Sequence, residues 1–152
     1  MRRFVIMLAT WGGTGYSPAA SGTVGTLAAI PLYLLLVRLQ LPLYVLATIL
    51  FSLFACRVSG EAELIFAEKD SGKIVIDEVA GYLVTMTAVP LSWQGVVAGF
   101  LLFRLFDIVK PFPAGYVDRH LKNGYGVVLD DLVAGVYACL ALHLLMRFMR
   151  FP

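Results

Sequence analysis

The sequence predicts an all-α fold, a small polytopic membrane bundle of about five apolar helices preceded by a short apolar segment. Three observations predict it. Hydrophobic residues make up 60% of the 152 positions and charged residues 14%, against roughly 45–50% and 25% in ordinary soluble domains. Mean hydropathy is +0.84. A chain of this kind lacks the polar surface to cover a water-exposed globule. Charge-free runs cover 4–37, 39–56, 79–103 and 132–146, and a helix needs about 20 apolar residues to cross the hydrocarbon core. The charges that do occur gather where those runs end.

The elements follow in order. Residues of about 4–11 form the short apolar segment. With Arg2 and Arg3 ahead of it, MRRFVIMLATW also has the layout of a secretory leader, but its apolar run is short. The Gly-, Ser- and Thr-rich stretch TWGGTGYSPAASGTVG reads as a loop. Spans are expected at about 24–40, 42–58, 75–90, 93–109 and 128–147. Pro42 and Pro90 sit at the junctions of two tight helical hairpins, where proline starts or stops a helix. The length suits one domain over 1–152. Cys56 and Cys139 lie in apolar runs and read as buried thiols. A net charge of +2 without a basic run argues against nucleic acid as a partner. No oligomeric state follows from the sequence.

Threading five spans puts Arg2, Arg3, Arg57, Lys69, Lys73, Arg104, Lys110, Arg119 and Lys122 on one side. Arg38, Arg147 and Arg150 fall on the other. The positive-inside bias makes the first side cytoplasmic. Every acidic residue maps to that same side, and acids do not set topology. A polar site at the cytoplasmic membrane face would explain them.

Four motifs carry that site. SPAASGTVGT, residues 17–26, leads into a helix. Its glycines let backbone N–H groups approach an anion, and Ser17, Thr23 and Thr26 add hydroxyls. The bland alternative makes Thr23 an N-cap and the small residues a packing surface. IDEVAG, residues 76–81, sets Asp77 and Glu78 side by side at the start of a span, with Gly81 one turn on. The dipole of the helix would favour acids there in any case. FRLFDIVKPFP, residues 103–113, places Arg104 and Lys110 each three residues from Asp107, among Phe and Leu. Charges so deep in an apolar setting are costly and mark function. LDDLVAG, residues 129–135, opens the last span with Asp130 and Asp131, and capping accounts for only one of them.

Together these motifs bring Asp77, Glu78, Asp107, Asp130 and Asp131 to one membrane face. Five carboxylates cannot stay ionised and close without a cation. His120 and His143 stand apart and read as a loop and a packing residue, so no zinc-type spacing arises. An all-oxygen set favours Mg²⁺. Arg104 and Lys110 would clamp a phosphate, and the glycine loop, with Gly22 and Gly25, could add N–H donors. Mg²⁺, carboxylates, cations and an anion nest describe phosphoryl chemistry. Its place at the lipid boundary points to a lipid-anchored phosphate. A rival reading is a non-enzymatic cation-binding transporter or channel subunit. It would need acids near the midplane, and none is expected there.

SPAASGTVGTLAAIP, IDEVAG, FRLFDIVKPFP followed by Asp118-Arg119, and GVVLDDLVAG together resemble the motif set of the phosphatidylglycerophosphatase A family, in order and spacing over roughly 11–136. The resemblance implies a helical, Mg²⁺-dependent phosphatase. It would convert phosphatidylglycerophosphate to phosphatidylglycerol in the bacterial inner membrane, with the active site facing the cytoplasm. It also implies functional roles for Ser17, Gly22, Thr23, Gly25, Asp77, Glu78, Gly81, Arg104, Asp107, Lys110, Asp118, Asp130 and Asp131. One departure is Ser21, where the family usually has proline ahead of Gly-Thr; a looser loop is expected. The expected division of labour puts Mg²⁺ on Asp77, Glu78 and Asp131, with Asp107 as a further candidate ligand. Arg104 and Lys110 neutralise phosphate oxygens. Asp107 or Asp130 orients the attacking water or takes part in an aspartyl-phosphate route.

Overall fold

A computed structural model describes residues 2–69, 71–116 and 124–149. The elements are α1 (Arg2–Ala9), a 3₁₀ turn (Thr14–Tyr16), α2 (Ser21–Leu36), α3 (Leu41–Phe66), α4 (Ile76–Thr85), α5 (Trp93–Val109) and α6 (Gly124–Met149). No strand occurs among the described residues. The expected all-helical architecture is observed.

A helix of only ten residues, α4, sits at the centre. α4 packs against α2, α3, α5 and α6, and all its residues except Glu78 and Val84 are buried. Tyr82, Leu83 and Val79 join Phe103 of α5, Tyr33 of α2 and Leu142 of α6 in the main core. A second cluster joins Ile76 and Ala80 to Val5 and Ala9 of α1, Cys56 of α3 and Val128 of α6. Buried polar groups in an apolar bundle need partners within the protein. Tyr44 donates its hydroxyl to Leu83 O at 2.7 Å, Tyr82 to Val96 O at 3.2 Å, and Trp11 Nε1 donates to Ala28 O at 2.9 Å.

Glycines set how closely the central helices approach. A Cβ on Gly135 would collide with the Gly81 carbonyl. A Cβ on Gly81 would lie 2.7 Å from Asp131 O and 2.5 Å from Phe103 Cε2. Gly81→Ala is therefore expected to destabilise the bundle by about 1–3 kcal/mol through overpacking. A thermal melt in detergent reads this as a lowered Tm. An unchanged Tm would mean the contact tolerates a methyl.

Two helices are long and apolar enough to cross a membrane, α3 and the bulk of α6. Only 33% of the apolar stretch of α3 is buried within the protein; Leu43, Leu46, Leu50 and Leu53 point outward, a face suited to lipid. Of the five expected spans, the other three are shorter. With 16 residues in α2 and 17 in α5, these helices reach about 24–26 Å, short of a core about 30 Å thick. α4, with 10 residues, reaches about 15 Å. Enclosed on all sides by its neighbours, it need not meet both membrane faces.

Three boundaries also move. α3 runs on to Phe66 because EAELIF is made of good helix formers. It stops at Ala67, whose φ is 53°, and so carries Arg57, Glu61 and Glu63 on a helix rather than in a loop. α6 starts at Gly124 rather than near 128, where it crosses α3 so tightly that a Cβ on Gly124 would strike the Gly60 backbone. α2 starts at Ser21, with Ala20 at the N-cap and no side-chain cap, so Thr23 lies inside the first turn and is not the cap.

Candidate functional site

The first turn of α4 carries Asp77 and Glu78, and α6 faces it with Asp131. Each of these three carboxylates offers an oxygen within 4.8 Å of the other two. Asp77 is 7% exposed and Asp131 4%. Glu78 Oε2 and Asp131 Oδ2 are buried and accept no hydrogen bond within the protein. Buried, unbonded, like-charged oxygens at this separation repel one another unless a cation lies between them. Their number, hardness and open lone pairs fit a divalent ion of the Mg²⁺ type.

The cations come from α5 and its end. Arg104 Nη1 donates to Asp107 Oδ2 one turn on and lies 3.9 Å from Glu78 Oε1. The Arg104 side chain is 16% exposed. Lys110 was expected on the same helical face as Asp107. It instead ends the helix with a φ of 46°, and its Nζ donates to Asp130 Oδ2 on α6. Asp107 and Asp130 are both close enough for their charges to act on Asp131, and Asp130 on Asp77 as well. All five carboxylates expected at one face are thus brought together. Asp130 and Asp131 lie within the second turn of α6, not at its cap.

The glycine-rich segment meets this cluster at Gly22. Gly22 is buried, and a Cβ there would collide with Glu78 Oε1 and lie 3.0 Å from Arg104 Nη1. Its role is close approach, which lays the first turn of α2, with Thr23, against the site. Gly25 makes room for Val75, whose Cβ would be 2.7 Å from an added methyl. Thr26 is buried and donates its hydroxyl to Gly22 O at 2.8 Å. Ser17 donates to Ala19 O at 2.9 Å. Neither hydroxyl is directed at the carboxylates, because a closer backbone acceptor takes each one. Ser21, expected to loosen the loop, donates to Gly72 O at 2.6 Å and ties the start of α2 to the segment leading into α4. That tie was missed at the sequence level; Ser, being able to donate where proline cannot, was the available signal. Gly81 acts in helix packing. Asp118 lies outside the described residues, as do Arg119 and His120. His143 Nδ1 lies 2.9 Å from Cys139 O, a local helical contact away from the site.

Comparisons with known proteins bear on this arrangement. The family described as phosphatidylglycerophosphatase A matches residues 7–146. A Haemophilus influenzae protein named phosphatidylglycerophosphatase A is 38% identical over 145 residues, covering 94% of this chain and 89% of the relative. An Escherichia coli protein of the same name is 40% identical over 131 residues, covering 86% and 76%. A Bacteroides thetaiotaomicron protein with the provisional name phosphatidylinositol-3-phosphatase is 38% identical over 143 residues, covering 88% and 87%. No solved structure matches the chain.

Proposed function

The chain belongs to the phosphatidylglycerophosphatase A family, and from that premise we propose that it hydrolyses the terminal phosphate monoester of phosphatidylglycerophosphate to phosphatidylglycerol and phosphate. The reaction is Mg²⁺-dependent and takes place at the cytoplasmic face of a bacterial inner membrane. The observation that carries this reading is the buried Asp77–Glu78–Asp131 trio, all within 4.8 Å, beside Arg104 and the Lys110–Asp130 pair. The protein is multi-pass: α3 and α6 span fully, α2 and α5 dip in beside them, and α4 is sheltered within.

Asp77, Glu78 and Asp131 would hold the ion, with Asp107 adjoining. A divalent cation there would offset most of the trio's negative charge and draw charge from a phosphate oxygen. The chain's own groups do the rest. Arg104, oriented by Asp107, binds phosphate oxygens and stabilises the charge that builds on them in the transition state. Lys110 supplies a second positive charge from across the site. Asp107 or Asp130 orients a water in line with the leaving alkoxide, which takes up a proton as it departs. The first turn of α2 closes the site from one side.

Phosphate release from purified protein in detergent micelles tests the reading. The substrates are phosphatidylglycerophosphate, phosphatidic acid, lysophosphatidic acid and phosphatidylinositol 3-phosphate, each with EDTA and with Mg²⁺. Release is expected from phosphatidylglycerophosphate, lost in EDTA and restored by Mg²⁺. No release, or release indifferent to EDTA, would overturn it. Strongest release from phosphatidylinositol 3-phosphate would reassign the head group.

A further inference from the structure

The connection from α3 to α4 is buried without being helical. Residues 71–75 lie outside any helix, yet Ser71 is 2% exposed, Ile74 3% and Val75 0%. Val75 is the N-cap of α4, and no side chain caps that end. A helix start with free N–H groups and no cap is held by whatever packs on it. Here the N-terminal segment packs on it. Val75 donates its buried N–H to Ala9 O, at the end of α1, at 2.9 Å. Gly15, in the 3₁₀ turn, is buried, and a Cβ there would collide with the Lys73 carbonyl. Ser21 donates to Gly72 O at 2.6 Å, and an added methyl on Gly25 would lie 2.7 Å from Val75 Cβ. The end of α1, the turn and the start of α2 thus form a strap across residues 72–75, directly ahead of the turn that carries Asp77 and Glu78.

We infer that Gly15 and Ser21 are positioning residues for the divalent-ion site: the strap fixes the first turn of α4, and with it Asp77 and Glu78, against Asp131 of α6. The inference rests on the ion reading above and adds to it the part of the chain that sets the ion's affinity. Two carboxylates of the trio come from the uncapped end of α4 and the third from another helix, so a displaced end opens the trio. Mg²⁺ demands near-octahedral geometry, whereas Ca²⁺ accepts a looser set of oxygens. Opening the trio therefore weakens Mg²⁺ more than Ca²⁺. Gly15 meets Lys73 and Ser21 meets Gly72, so their loss acts on how tightly the ion is held and leaves in place the charges that meet the phosphate.

Thermal melts and phosphate release of the full chain in detergent test this, both titrated with Mg²⁺ and the melts also with Ca²⁺. The Mg²⁺ concentration needed for a given rise in Tm reads affinity without chemistry. Gly15→Ala is expected to raise it about 10- to 100-fold, the scale of losing an outer support of a metal site. The Ca²⁺ requirement moves much less, and at saturating Mg²⁺ release from phosphatidylglycerophosphate regains most of its kcat. Ser21→Ala raises the Mg²⁺ requirement about threefold, the scale of one hydrogen bond, and Ser21→Thr, which keeps the donor, restores it. Gly95→Ala, whose Cβ would lie 3.0 Å from Ser92 Oγ at the far end of α5 from Arg104, lowers the Tm and leaves the Mg²⁺ requirement in place. An unmoved requirement in Gly15→Ala overturns the inference, as does an equal rise in Gly95→Ala or a kcat that stays low at saturating Mg²⁺. If Gly15→Ala does not fold, the Ser21 pair decides: an unmoved requirement in Ser21→Ala, or no recovery in Ser21→Thr, overturns it. Absence of any Mg²⁺ effect on the Tm of the unmodified protein removes the ion site and this inference together. The expected shifts with no phosphate release from any lipid would instead leave the strap standing and remove the phosphatase reading.

Discussion

Asp131→Asn is expected to lower phosphate release on the order of a thousandfold, the several kcal/mol that a correctly held metal ion contributes to a phosphoryl transition state. The substitution keeps shape and removes one charge from a trio whose oxygens lie within 4.8 Å of each other. Its effect on stability should run the other way. Without divalent cation, three buried carboxylates repel, so removing one charge relieves strain. In EDTA the variant should melt no lower than the unmodified protein. Mg²⁺ should raise the Tm of the unmodified protein, because a ligand bound only by the folded state stabilises it, and raise that of the variant much less. Activity within tenfold of the unmodified protein, or an undiminished Mg²⁺ shift in Tm, would remove Asp131 from the ion site. Asp77→Asn should behave alike, since Asp77 is equally part of the trio.

Arg104→Ala should be as damaging to activity and, unlike the aspartate changes, also costly to the fold. Arginines that neutralise a transferring phosphoryl group are worth about 10³-fold or more in rate. Arg104 also bonds Asp107 and lies 3.9 Å from Glu78, with both partners largely buried. Removing one member of a buried pair leaves the other charge uncompensated, at about 3–5 kcal/mol. Arg104→Lys separates the two effects. A lysine keeps the charge but cannot present a planar fork, so stability should recover more than kcat does. Recovery of full kcat by lysine would reduce Arg104 to a counter-charge.

Much of the site was legible because its residues interrupt apolar runs. Asp77 and Glu78 stand at the head of one, Asp107 and Arg104 near the end of another, and Asp130 and Asp131 at the head of a third. In a chain with so few charges, each such position is costly and therefore informative. The partners of those residues were less legible. Asp130 and Asp131 are neighbours in sequence, yet about 100° apart around a helix; one meets Lys110 and the other joins Asp77 and Glu78. Lys110 looked like a partner of Asp107 by spacing, but the chain leaves the helix at that residue. Gly22 was legible as part of a glycine-rich loop; only the structure shows that Glu78 and Arg104 fill the space its missing side chain leaves.

Composition and the positions of charge along the chain were enough to establish a helical, membrane-suited protein with acids and bases at helix ends, because those properties depend on each segment alone. Only the tertiary structure decided that two helices reach full spanning length, that a ten-residue helix lies at the centre, and that oxygens of Asp77, Glu78 and Asp131 come within 4.8 Å of one another. Those outcomes depend on how close α4 comes to α6 and α2. That distance is set by the missing side chains of Gly81, Gly135 and Gly22 against partners far away in sequence.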